Sequence, residues 1–215
     1  MTGAEPTKAT PEWLALLAAF DAAYGQAADA GSAPIADHTA RLRQALARVQ
    51  AGPPRLSPRP AADKPVTRWL PAALAAATRG PFADMAMALL AVADRLTWEY
   101  GYASLPEALA RDYAYCEILG PQGPILADDL ILGLVLFAPG THYPPHHHKG
   151  IEESYLALSG RWSQNHAASH APGSLVFNPP ATEHEITTGS AGPCLLAYGW
   201  LGDPRRLAAP GMVLS

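Results

Sequence analysis

Near residue 111 the sequence changes character, and that break confines the fold to an α+β plan with its helices gathered at one end. Before it the chain is rich in Ala, Leu and Arg, with apolar residues at helical spacing; after it come Gly, Pro, His and β-branched pairs in short runs. Thr10-Pro11-Glu12 supplies an N-cap, a proline suited to the first helical position and an acid in the first turn. A helix is expected from there to about Ala28, buried along Trp13, Leu16, Leu17, Phe20 and Tyr24. A second is expected over 35–50, with Leu42, Ala45, Leu46 and Val49 on one face. Five prolines (Pro53, Pro54, Pro58, Pro60 and Pro65) exclude regular helix and predict an extended connection. Helices are expected again over 67–78, 81–100 and 106–112, with Met85, Leu89, Leu90, Val92 and Leu96 in the core.

From Tyr113 onward the pattern is short strands between turns. The expected strands are 113–119, 130–138, 146–149, 154–159, 161–166, 174–178, 184–188 and 194–201. Their separators are Gly- and Pro-rich, among them Pro139-Gly140, Ser159-Gly160, Pro172-Gly173 and Pro179-Pro180. Eight such strands suggest a double-sheet jelly-roll barrel. The reading is a helical region over 1–111 packed on a β-barrel over 112–215.

Hydrophobic residues make up 49% of the 215 positions and charged residues 16%, a balance that supports a large core and argues against disorder. A net charge of -4 without a basic stripe argues against a nucleic-acid partner, because phosphate binding needs clustered Lys and Arg. A small-molecule partner is expected instead. Cys116 and Cys194 lie far apart with no neighbouring Cys, and are expected to be reduced and buried. No stretch approaches the ~20 apolar residues of a membrane span, and residues 1–13 lack the apolar run of a signal peptide. A cytoplasmic location is therefore expected, and a homodimer stays open.

Seven of the eight histidines fall between positions 142 and 184. Their spacing follows two motifs. The first runs Gly140, five residues, His146, one residue, His148, four residues, Glu153, six residues, Gly160. The second runs Gly173, five residues, Pro179, with His184 five positions later. This arrangement resembles the two motifs of the cupin superfamily, whose fold is a double-stranded β-helix. The chain departs from that pattern at Ala181, where a glycine is usual, and at Thr188, where an asparagine is usual. Neither is a ligand position.

Strand geometry gives the same answer independently. Side chains alternate along a strand, so His146 and His148 are expected to share a face, as are Glu153 and Tyr155. His184 would join them from a third strand. Three imidazoles and a carboxylate make a site for one divalent transition metal (Zn, Fe, Mn, Ni or Co) with positions open to substrate. Glu153 is preferred to its neighbour Glu152 because it lies seven positions before Gly160 and shares parity with Tyr155. His142, His147, His166 and His170 are expected in loops or facing outward.

The segment 143–155 (YPPHHHKGIEESY) resembles that of the cupin dimethylsulfoniopropionate lyases. Those enzymes carry one tyrosine two residues after the ligand glutamate and another five residues before the second ligand histidine, here Tyr155 and Tyr143. The close resemblance covers about 140–200, and over the helices it is architectural. It implies a metal-dependent carbon–sulfur lyase with Tyr155 as the base. Tyr143 would orient substrate or pack. Trp162, Tyr198 and Trp200 are candidates for an aromatic wall around a sulfonium cation or for core packing. Lys149 and Arg161 are nearby candidates for binding a carboxylate. Other readings of the same four ligands are an Fe(II)-dependent dioxygenase and a non-catalytic metabolite-binding cupin.

Overall fold

The structure, a computed structural model, describes residues 7–29, 31–57, 59–102 and 104–211. A two-residue strand, β1 (Thr7–Lys8), precedes helix α1 (Pro11–Ala28). The helix begins at its proline, with Thr10 still extended and Glu12 in the first turn, and buries the stripe from Trp13 to Tyr24. Helix α2 (Ala33–Gln50) starts two residues before the expected point because Pro34 fits its first turn; Leu42, Ala45 and Leu46 are buried. The proline-rich connection is extended, and β2 (Arg55–Leu56) pairs with β1. Pro58, one of its five prolines, lies outside the described residues, as do 1–6 and 212–215.

The later helices are shorter than their periodicity indicates. A 3-10 turn at Pro65–Trp69 leads into α3 (Leu70–Ala77), and α4 covers only Ala83–Leu90. The expected helix over 81–100 gives way to β3 (Trp98–Glu99), paired with Cys116 and Tyr115. Pairing of Trp98 with Cys116 and the bridge from Thr97 to Ala62 outweigh the helical spacing of Val92 and Leu96, which stay buried. Helix α5 (Glu107–Asp112) follows Pro106 and delivers the chain to the barrel.

The barrel strands are β4 (Tyr113–Gly120), β5 (Ile125–Leu126), β6 (Leu130–Phe137), β7 (His142–His146) and β8 (Ile151–Ser159). They continue as β9 (Trp162–Gln164), β10 (Ser169–His170), β11 (Leu175–Asn178), β12 (His184–Thr188) and β13 (Cys194–Gly202), closed by α6 (Pro204–Ala208). The large sheet has the order β1-β2-β5-β4-β6-β13-β8-β11, with β3 beside β4; the small sheet has the order β10-β9-β12-β7. Together they form the double-stranded β-helix of a cupin, with the helices on the outer face of the large sheet.

Both faces of that sheet are buried, and alternation sorts its side chains. Leu130, Leu132, Leu134 and Leu136 join the core shared with α1–α4, while Ile131, Val135 and Phe137 line the barrel interior. This two-sided burial explains why β6 is apolar throughout. Gly160 turns β8 into β9 at φ +81°, where a Cβ would lie 2.5 Å from the Pro193 carbonyl oxygen. Thr188 accepts a hydrogen bond from the Thr141 amide (2.9 Å) and donates to the Ala138 carbonyl (3.0 Å), tying β12 to the turn after β6. Cys116 and Cys194 are buried free thiols. Among the described residues no helix is long and apolar enough to cross a membrane.

Candidate metal centre and substrate cavity

His146 on β7 and His184 on β12 are register partners across the small sheet, with ring centroids 4.2 Å apart. Glu153 reaches them from β8 on the large sheet. His148 arrives differently from the expectation. The strand predicted over 146–149 is instead His142–His146, at the edge of the small sheet, where Pro144 and Pro145 need no ladder partner. His148 therefore follows the strand, and its carbonyl accepts a hydrogen bond from the Ala181 amide at 2.9 Å. It lies outside the ladder, yet His146 and His148 are buried and His147 between them is half-buried, as alternation along an extended chain expects. Parity also operates on β8: Glu153 points inward, while Glu152 points to Arg41 and His38. The four candidate ligand atoms lie within 4.8 Å of one another, and all four residues are buried.

The surrounding hydrogen bonds orient these groups for a cation. His146 Nδ1 donates to the Pro144 carbonyl and His184 Nδ1 to the Thr182 carbonyl, both at 3.0 Å. A carbonyl only accepts, so in the neutral rings Nε2 carries the lone pair and faces inward. Neither Nε2 has a hydrogen-bond partner among the described residues, nor does either nitrogen of the His148 ring. His184 Nε2 stands 2.9 Å from Glu153 Oε2 without hydrogen-bond alignment. Two lone pairs that close require a proton or a metal ion between them. Glu153 is steadied from both sides: Trp200 Nε1 donates to it at 2.7 Å and Asn178 Nδ2 at 3.4 Å. Gln164 in turn holds Asn178 at 2.8 Å.

Burial, with His184 adding to it, lowers His146 to about 4. Burial also lowers His148. For Glu153, burial alone would raise the pKa, but His148, His184 and His146 outweigh it and hold the carboxyl well below its usual range. His184 goes the other way, because the Glu153 carboxylate more than offsets its burial. A proton on His184 and a metal ion are thus alternatives for one place. Three imidazoles and an anionic carboxylate, buried and aimed at a common point, fit a divalent metal.

A cavity opens beside this cluster, lined by His148, Glu153, Tyr155 and Tyr143 and walled by Tyr198 and Trp200. The Tyr155 ring lies 6.0 Å from that of His184. Tyr143 sets its ring edge-on to His146 at 4.6 Å and shares its hydroxyl with those of Tyr102 (2.7 Å) and Tyr113 (3.4 Å). Burial pushes both tyrosines well above their ordinary pKa, and the Glu153 carboxylate pushes Tyr155 further.

The sequence profile described as dimethylsulfoniopropionate lyase matches residues 37–196. The chain belongs to the dimethylsulfoniopropionate lyase family. A provisionally named dimethylsulfoniopropionate lyase DddL from Cereibacter sphaeroides is 58% identical over 205 residues, covering 95% of this chain and 88% of that protein. Among solved structures, a chain from work on the DMSP lyases RdDddP and RnDddQII is 25% identical with a TM-score of 0.60, covering 94% of this chain and 99% of the other. The DMSP lyase DddQ from Ruegeria pomeroyi DSS-3 shares the fold at 24% identity and a TM-score of 0.64, covering 96% and 98%.

Within this family member, the other residues singled out from sequence separate. Tyr198 and Trp200 line the cavity, and Trp200 also holds Glu153. Trp162 packs 5.8 Å behind Tyr155 and does not line the cavity, so its expected contact with substrate gains no support. Lys149 is exposed in the turn after His148 and Arg161 is exposed after Gly160; neither lines the cavity. His142 and His166 are exposed and flank Glu185, while His147 and His170 are half-buried. Tyr102, Tyr113, Tyr115, Glu117, Gln164 and Asn178 were not anticipated. For three of them a signal was present: Tyr113, Tyr115 and Glu117 alternate along one face of β4.

Proposed function

We propose that this chain is a metal-dependent carbon–sulfur lyase that splits dimethylsulfoniopropionate into dimethyl sulfide and acrylate, with Tyr155 as the base. One observation carries the reading: a buried tyrosine stands in the cavity two residues beyond Glu153, on the same face of β8, in a member of this family. In the elimination, the base takes the proton from the carbon next to the carboxylate. The electron pair left behind forms the carbon–carbon double bond, and the carbon–sulfur bond breaks with its pair on sulfur. The sulfide leaves neutral, so the reaction needs no general acid and depends on a strong, positioned base.

A free tyrosine has a pKa near ~10, and bringing it to ~7 needs roughly 4 kcal/mol of differential stabilisation. A divalent cation held by His146, His148, Glu153 and His184 would supply positive charge that stabilises both the Tyr155 phenolate and charge building on the substrate carboxylate. Tyr143, fixed by Tyr102 and Tyr113, orients the substrate. Trp200 fixes Glu153 and walls the cavity with Tyr198.

The test is headspace dimethyl sulfide from purified protein given the sulfonium substrate with Mn, Fe, Zn, Ni or Co. Gas above the protein-free blank with at least one ion is expected. Its absence with every ion would remove the lyase reading, and oxygen uptake with Fe(II) would favour a dioxygenase. Tyr155→Phe should lose turnover while keeping its metal content. Undiminished turnover in that variant would remove Tyr155 as the base.

A further inference from the structure

The cavity holds a second carboxylate that the elimination does not use. Glu117 lies on β4, and strand register sets it in one row across the large sheet. Glu117 stands opposite Gly133 on β6, Gly133 opposite Tyr198 on β13, and Tyr198 opposite Tyr155 on β8. Ala114, Cys116 and Ile118 point to the helix-side core, so Tyr113, Tyr115 and Glu117 take the inner face. Gly133 adds no side chain to the row. A Cβ there would collide with the Cys116 carbonyl oxygen and lie 2.6 Å from Tyr198 Cε1, so the tyrosine ring packs directly against the glycine backbone. Aromatic rings then lead away from the metal cluster: Trp200 is 4.4 Å from His148, Tyr198 is 5.6 Å from Trp200, and Tyr115 is 6.5 Å from Tyr198. Glu117 lines the cavity with them.

Glu117 is only 7% exposed. Its Oε1 accepts the Gln122 amide at 2.7 Å, and among the described residues it forms no ion pair. Arg59, the cation in its neighbourhood, is engaged with Glu99 at 2.7 and 3.1 Å and with the Gln122 carbonyl. Burial raises the Glu117 carboxyl to about 7. A buried acid without an ion pair is drawn toward its neutral form, and a cation entering the tyrosine-walled cavity would favour the ionised one.

We propose that Glu117, with the rings of Tyr115 and Tyr198, binds the cationic dialkylsulfonium end of the substrate. This inference rests on the lyase reading for the substrate's identity. The substrate is charged at both ends, and the carboxylate end belongs at the metal cluster. A sulfonium carries permanent positive charge but no N–H or O–H, so hydrogen-bond acceptors cannot identify it. Net charge and aromatic faces can. A neutral ligand of the same shape would leave Glu117 buried and unpaired, which gives the site discrimination as well as affinity.

The competing role for Glu117 is capping the turn at 120–123 through its acceptor oxygen. Glu117→Gln keeps an acceptor and removes the charge, so it separates the two. Two ligands that cannot undergo the elimination provide the readout: dimethylsulfonioacetate and 3-methylbutanoate, a carboxylate of the same shape whose branched end is uncharged, titrated calorimetrically into metal-loaded protein. The unmodified protein should favour the sulfonium by about tenfold or more. In Glu117→Gln that preference should fall below about threefold, with 3-methylbutanoate affinity retained. Tyr115→Leu, which keeps the charge, should reduce the preference partially and serves if the first variant does not fold. An undiminished preference in the folded variants overturns the proposal. Dimethyl sulfide release by the unmodified protein, measured alongside, reports separately on the lyase reading: gas with an unchanged preference sinks only the Glu117 assignment, and a lost preference without gas sinks only the reaction.

Discussion

Ala181 holds φ at +63°, a left-handed conformation that costs an L-residue about 1–2 kcal/mol. Glycine would relieve most of that and lose about 0.5–1 kcal/mol through its freer unfolded chain. The Ala181 side chain is exposed, while its amide fixes the His148 carbonyl. Ala181→Gly should therefore stabilise the fold by up to about 1 kcal/mol, seen as a higher denaturant midpoint at unchanged slope; a lower midpoint would mean that the methyl group packs. Glu117 makes a pH prediction of definite sign. Its carboxyl is raised from 4.5 to about 7 by folding, chiefly through burial, with Glu99 adding to and Arg59 and the Gln122 and Gly123 amides opposing the shift. The folded chain then binds more protons than the unfolded chain between those values, so stability falls as pH rises through the window, by about 3 kcal/mol at most. Denaturation at pH 5 and pH 8 should show that loss in the unmodified protein and a smaller one in Glu117→Gln. Equal losses would place the titration elsewhere.

Strands β8, β11 and β13 act together on Glu153. Trp200 and Asn178 are its register partners on either side, and both donate to its carboxylate. Trp200→Phe keeps the aromatic volume but removes the N–H, and outer donors of this kind typically contribute 10–100-fold to metal affinity, roughly. Competition with a chromogenic chelator should register a loss of that order in a variant that still folds; undiminished affinity would confine Trp200 to wall packing. These strands also show what a single sequence discloses. The inward pair Glu153 and Tyr155 was legible, because period-two alternation is local to β8. The donors to Glu153 were not, because pairing with residues about 25 and 47 positions away depends on register that only the folded sheet fixes. For the same reason Trp98 was assigned to a helix by its neighbours' spacing and went to a sheet edge. Tyr113, Tyr115 and Glu117 alternate openly, yet nothing local says that their face is a cavity rather than solid core.

Over the whole molecule, helices and barrel share one core, because the outer leucines of β6 and β8 pack with α1–α4. A polar chain that runs from buried Tyr24, Ser154 and His38 out to exposed Arg41 reinforces the joint directly behind Glu153. The Tyr24 hydroxyl meets Ser154 Oγ at 3.2 Å, His38 bonds Ser154 at 2.9 Å and Glu152 at 3.0 Å, and Arg41 grips Glu152 at 2.7 and 2.9 Å. We propose that the division at 111 and 112 marks a change of architecture between parts that fold together. A barrel without the helices would expose Leu130, Leu132, Leu134, Leu136, Leu156 and Leu158 to water, against the usual cost of about 25 cal/mol per Å² of apolar surface. Helical circular dichroism and the near-ultraviolet signal of the barrel aromatics should then melt at one midpoint. Metal binds only the folded cluster, so loading at a hundredfold over its Kd should add about 2.7 kcal/mol. For a chain of this size that corresponds to about 5–10 °C, and it should move both signals equally although the ion touches only barrel residues. Two separate midpoints, or a metal shift confined to the aromatic signal, would mean that the helical layer folds on its own and that the polar chain behind Glu153 couples nothing.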